Sequence, residues 1–86
     1  MVSKQVTVVN ETGLHARPAA NFTKLASSQK CNVYLKKEDK KVNAKSILGI
    51  LSLAISKGSV IEIITDGEDE KLALITLVDY VNALTD

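Results

Sequence analysis

The chain has 86 residues, 45% of them apolar and 24% charged, and a formal net charge of +1. That length makes one domain, residues 1–86, with a single small core. The near-neutral balance excludes a strongly basic nucleic-acid binder and a polybasic membrane-surface protein. A lone cysteine, Cys31, excludes an internal disulfide and a cysteine-rich metal site.

In chain order, "VSKQVTVVN" alternates enough to read as a strand, with Val2, Val6 and Val8 sharing parity. The apolar start is broken by Ser3, Lys4 and Gln5, so it does not read as a leader peptide, and a reduced, cytoplasmic setting is expected. After "ETG" the spacing of Ala19, Phe22 and Ala26, with Leu25 beside them, predicts a helix from Ala16 to about Ser28. "CNVYLKK" reads as a second strand, "EDKK" as a polar turn and "KVNAK" as a third strand. Cys31 reads as a small strand residue rather than a reactive thiol. Lys36, Lys37, Lys40 and Lys41 cluster at this hairpin and read as a solvated edge that blocks unwanted pairing.

Ser46 suits the N-cap of a short helix, Ile47 to about Leu53, which "SKGS" ends at Gly58. "SVIEIIT" follows as a strand with Ile61 and Ile63 toward the core. "DGEDE" supplies a turn and then acidic residues that suit the dipole at the start of a last helix, Asp69 to Leu84. Leu74, Leu77, Val78, Val81 and Leu84 form its apolar stripe. The longest apolar stretch, "ILGILSLAI", is about half of the ~20 residues that a membrane span needs. Phe22, Tyr34 and Tyr80 are the only aromatics, too few for a base-stacking surface. The order βαββαβα argues for a two-layer α+β domain with helices on one face of an antiparallel sheet. Order alone fits a ferredoxin-like sandwich with an added helix, and pattern does not fix the strand order.

Within "TGLHARPAA", residues 12–20, lie the only histidine, arginine and proline of the chain, inside four positions. Gly13 permits a sharp reversal into the helix. His15 falls at or beside the N-cap, and Pro18 in the first turn, where its missing N–H is no loss. The amides of Ala16 and Arg17 belong to the unpaired donors of a helix start, where the dipole favours an anion. Arg17 adds a charged fork suited to phosphate oxygens. The same dipole disfavours imidazolium, so a neutral, nucleophilic ring is expected. Ala16, Ala19 and Ala20 leave room for another protein to approach. Spacing alone leaves a plain surface or capping histidine about as open as a phosphoryl acceptor. It offers no carboxylate for a hydrolase triad and no ligand set for a metal.

The stretch resembles the phosphohistidine signature of the HPr family, the histidine-containing phosphocarriers of the phosphoenolpyruvate-dependent sugar phosphotransferase system. The likeness runs over essentially the whole chain, including "KSILGILSLAISKGS", the element order and the length. It implies an open-faced β-sandwich with antiparallel strand order 1-4-2-3 and three helices on one face, in place of the ferredoxin-like arrangement. It also implies that His15 takes a phosphoryl group on Nδ1 from the phosphohistidine of enzyme I and passes it to sugar-specific EIIA proteins or domains. The residue matching Arg17 contacts that group and partner carboxylates. On this resemblance the chain is a monomeric covalent carrier rather than an enzyme, with no cofactor and no membrane insertion. A regulatory, nitrogen-branch type of binding module is the alternative. A regulatory paralogue lacking the histidine is excluded by His15.

The second motif carries more large apolar residues than a short helix can bury. Helix periodicity turns Ile50 and Leu53 inward and Leu48 and Leu51 outward. A fully covered helix remains open beside an exposed apolar docking patch. The resemblance implies a docking face for enzyme I and EIIA that includes Ala20, Ile47, Leu48 and Leu51. Ser46 has a plain role as N-cap, worth ~1 kcal/mol. The resemblance adds phosphorylation by an ATP-dependent HPr kinase/phosphorylase, with the product a corepressor for a catabolite control protein. Such a phosphoserine adds about −1.5 to −2 charges at a helix start. Leu48 and Leu51 stand where the regulated branch often carries methionine, and leucine keeps the volume but loses flexibility and sulfur contacts.

Overall fold

The computed structural model describes residues 1–85. Its elements are β1 (Val2–Thr7), α1 (Ala16–Ser27), β2 (Asn32–Lys37), β3 (Lys40–Asn43), α2 (Ile47–Ser52), β4 (Val60–Asp66) and α3 (Glu70–Asn82). The four strands form one antiparallel sheet in the order β1-β4-β2-β3. This is the open-faced arrangement that the resemblance implied, and the ferredoxin-like alternative is set aside. β4, the last strand in the chain, inserts between β1 and β2, pairing Val6 with Ile61 and Leu35 with Ile63.

Alternation decides which face the helices cover. Val6, Val33, Leu35, Ile61, Ile63 and Thr65 point inward and are buried, and Phe22, Ile50 and Leu77 close over them from α1, α2 and α3. Burying each large side chain contributes roughly 1.5–3 kcal/mol. Thr65 is the polar member of this layer, and its hydroxyl donates to the Glu70 carbonyl at 2.7 Å. Of the stripe on α3, Leu77, Val78 and Val81 are buried and Leu74 and Leu84 half-buried, while Leu72 and Ile75 face solvent.

Boundaries differ from the sequence reading by a residue or two. β1 ends at Thr7, yet Val8 stays buried: its N–H donates to Ser59 O at 2.8 Å and its carbonyl accepts from Gly58 at 2.7 Å. The hairpin turn is shorter than "EDKK", because Lys37 already pairs with Lys40 and only Glu38 and Asp39 make the turn. Glu38 takes a left-handed conformation, φ 55°, as such tight hairpins require. Nor is every hairpin lysine a solvated edge charge. Lys37 and Lys40 reach across to backbone carbonyls at the end of α2, drawn by the electron-rich groups left unpaired there. Cys31 is buried one residue before β2, and burial pushes its thiol up to about 11.

Candidate functional site

The turn that carries His15 is built between two buried anchors, Leu14 and Pro18. Leu14 donates its N–H to Ile55 O at 3.2 Å. Gly13, φ 63°, lies so close to the next strand connection that a Cβ would collide with the backbone of Ile55 and Ser56. Buried Asn10 closes the turn from the other side, its Nδ2 donating to Gly13 O at 3.0 Å. On the helical side, Tyr80 donates its hydroxyl to Pro18 O at 3.2 Å, and its ring tilts against Phe22 at 6.1 Å. Such aromatic pairs add to area burial. Held at both ends, the turn leaves His15, Ala16 and Arg17 exposed.

His15 has the extended backbone of an N-cap, φ −129° and ψ 151°, but its side chain makes no capping hydrogen bond. The ring is therefore not committed to the helix. Ala16 departs from the sequence reading, which took it as an ordinary first helical residue. Its φ of 48° is left-handed, a conformation that costs a non-glycine residue roughly 1–2 kcal/mol. The anchors on either side sustain that strain. A left-handed residue leading into right-handed ones turns successive N–H groups to one side, which suits an anion. No acidic residue stands in the first turn of α1 to compete for them, and exposed Lys24 lies two turns beyond Arg17.

α1 packs against α2. Ser46 caps α2 as its sequence suggested, its Oγ accepting from Gly49 N–H at 3.3 Å. Gly49 lets the helix approach β3 closely: a Cβ there would stand 3.1 Å from Asn43 O and 3.3 Å from the Val42 side chain. Ile50 and Leu53 are buried, as helix periodicity indicated. Leu48 is 76% exposed, whereas Ile47 and Leu51 are each 37% exposed, so the apolar patch centres on Leu48 with the other two at its margin. Ala20 is exposed on α1.

Sequence reasoning missed the contribution of Asp69. It caps nothing in its own helix; its carboxylate accepts instead from Lys30 N–H at 3.0 Å and Cys31 N–H at 2.9 Å. The Lys30 N–H first, then the Cys31 thiol and more weakly its N–H, hold the carboxyl below the ordinary aspartate range. Nothing in the local sequence signals a bond that spans 38 positions. Two hollows over the open face of the sheet are lined by residues such as Lys36, Glu62 and Ile64, not by His15. Among the described residues no cluster of three metal-ligating side chains occurs, and no helix is long and apolar enough to cross a membrane.

An exposed, uncommitted imidazole beside a guanidinium at a helix start, on an open-faced sandwich of this topology, defines a domain of the phosphocarrier class. Residues 2–83 match the family described as PTS HPr component phosphorylation site, and the chain belongs to this HPr family of phosphocarriers. It is 45% identical over 82 residues to the phosphocarrier protein HPr of Neisseria meningitidis, covering 95% of this chain and 92% of that one. The crystal structure of HPr from Bacillus anthracis superposes with a TM-score of 0.90 at 49% identity, covering 93% of this chain and 95% of the other. The catabolite-repression protein Crh of Bacillus subtilis, described as a domain-swapped dimer, gives a TM-score of 0.76 at 50% identity, covering 95% and 94%.

Proposed function

We propose that this chain is the phosphocarrier of a sugar phosphotransferase system, a covalent carrier rather than an enzyme, with His15 as the acceptor. The observation that carries the reading is the exposed His15 ring, free of any cap bond and set between the buried anchors Leu14 and Pro18. The lone pair of Nδ1 forms a bond to phosphorus as the bond between phosphorus and the donor histidine of enzyme I breaks. One P–N bond replaces another, so the group is handed on to an EIIA protein as readily as it is received. Arg17 and the N–H groups of Ala16 and Arg17 stabilise the charge on the transferring group. Leu48, flanked by Ile47, Leu51 and Ala20, forms the apolar contact for enzyme I and EIIA. A small patch with a charged rim suits partners that must separate quickly.

Incubation with enzyme I and phosphoenolpyruvate is expected to place one acid-labile phosphate on the chain, and His15→Ala to abolish it with the fold intact. Retained label in that variant overturns the assignment. Arg17→Glu replaces a charge-assisted contact by repulsion, a loss of about 2 kcal/mol. Transfer is then expected to slow about thirtyfold; unchanged stopped-flow kinetics would remove Arg17 from the mechanism.

A regulatory binding module is the second reading, favoured by the 51% identity to the HPr-like protein Crh of Bacillus subtilis. Labelling of His15 without onward transfer to any sugar-specific EIIA would support it, as a module of the nitrogen-branch type. Ser46, exposed at the start of α2, is the proposed regulatory phosphorylation site for an HPr kinase/phosphorylase, the phosphoserine form then binding a catabolite control protein. Mass spectrometry after treatment with kinase and ATP tests it. The chain acts as a cytoplasmic monomer in this reading, which light scattering checks, with no cofactor, nucleic acid or membrane insertion.

A further inference from the structure

The hairpin lysines are placed for more than guarding an edge. Lys37, half-buried, donates from Nζ to Leu53 O at 3.2 Å and Ala54 O at 2.9 Å, and Lys40 donates to Ser52 O at 3.3 Å. α2 has only six residues, too few to persist unaided. The Ile50 and Leu51 carbonyls accept from Leu53 and Ala54 N–H, while those of Ser52 and of Leu53 and Ala54 just beyond the helix are the ones the lysines bind. The chain leaves it through Ala54, φ 51°, a left-handed position that glycine usually fills. The next residue, buried Ile55, accepts through its carbonyl from Leu14 N–H at 3.2 Å, and Gly13 is pressed against Ile55 and Ser56. The connector 53–56 is thus gripped by Lys37 at one end and carries the His15 turn at the other.

We propose that Lys37 is a positioning residue for phosphoryl acceptance, acting on His15 through this connector; the inference rests on the phosphocarrier reading above. The ammonium fixes two carbonyls that flank the left-handed link at Ala54. Fixing them sets the direction of Ile55 O, which sets Leu14 N–H and with it the backbone that presents His15. Lys40 bonds one residue upstream, at the helix end itself, and serves as the internal control.

The test compares Lys37→Met, Lys37→Arg and Lys40→Met. With enzyme I as catalyst, phosphoenolpyruvate as donor and this chain as acceptor substrate, Lys37→Met is expected to lower kcat about tenfold with the KM of enzyme I for the chain nearly unchanged, short of the ~hundredfold loss that a misplacement of about 1 Å can bring. Lys37→Arg keeps the charge and the donors and is expected to restore most of the rate. Lys40→Met is expected to match the unaltered chain. Hydrogen exchange supplies the structural readout: in Lys37→Met the Leu14 amide should exchange about tenfold faster while those of Leu35 and Ile63 keep their rates, separating local release from general destabilisation. Unchanged exchange at Leu14, an effect on KM alone, or an arginine variant as impaired as the methionine one overturns the inference. Failure of the phosphocarrier reading looks different, because the unaltered chain would then take no phosphate while the exchange comparison still decides the linkage.

Discussion

The starts of α1 and α3 are built on opposite plans. At α3 the two leading acidic side chains are engaged within the fold. Asp69 holds the amides of Lys30 and Cys31, and Glu70 reaches back to accept from Gly67 N–H at 3.0 Å. At α1 the residue in the N-cap position makes no cap bond, no acid stands in the first turn, and the first helical residue is left-handed. The contrast separates two uses of the same element. A helix start whose leading side chains bind other parts of the chain ties the fold together. One whose groups are held ready but unspent keeps them for a visitor, at some cost in stability.

Replacing the leading residue of each helix in turn sharpens that contrast. The largest loss is expected for Asp69→Ala, because one of the two amides it serves belongs to buried Cys31 and no nearby group replaces the carboxylate. Thermal melting should show the greatest fall in Tm of the three. The acid limb gives a second check. Asp69 is held below the ordinary carboxylate range chiefly by Lys30 N–H, and Glu70 chiefly by Gly67 N–H. Folded-state values that are depressed contribute stability above the unfolded-state values, about 3.9 for Asp and 4.3 for Glu. That contribution is lost as the pH falls through the folded values. The unaltered chain should therefore weaken below about pH 4, and Asp69→Ala should show a shallower decline. An equal decline in both would mean that the carboxylate does not tie the loop to α3.

Much of this plan is visible in the sequence, and the limits are physical. Local signals served well where the determinant is local: the alternation of β4, the helical spacing of α1, Ser46 before an apolar run, and Gly13 before His15. Strand order failed on local pattern, because β4 enters between β1 and β2 through pairings that join distant segments, and only the family resemblance supplied it. Asp69 read simply as an acid favoured by the dipole of its own helix, yet its partners are Lys30 and Cys31. Lys37 and Lys40 read as edge charges because the carbonyls they bind belong to another element. The left-handed Ala16 had no signal at all, since alanine is among the strongest helix formers and only the anchored turn on either side holds it there.

Ser46→Ala comes next in size. It removes one side-chain acceptor from the start of a six-residue helix, and the bond it breaks is long at 3.3 Å. A loss of about 1 kcal/mol is expected. In a domain of this size that is a fall of roughly 4–8 °C in Tm, with His15 labelling unchanged. A melt identical to the unaltered chain would mean that α2 does not lean on its cap.

The smallest change belongs to His15→Ala. An N-cap that caps nothing has no bond to lose, and its exposed ring contributes little burial, so the stability should move by less than about 0.5 kcal/mol. Paired with the expected abolition of phosphate labelling, that near-silence in a thermal melt is the sharpest form of the contrast. A drop as large as that of Ser46→Ala would show the imidazole satisfying the helix after all. The ring's nitrogen would then have to be withdrawn from the fold before it could attack phosphorus, and the distinction between the two helix starts would disappear.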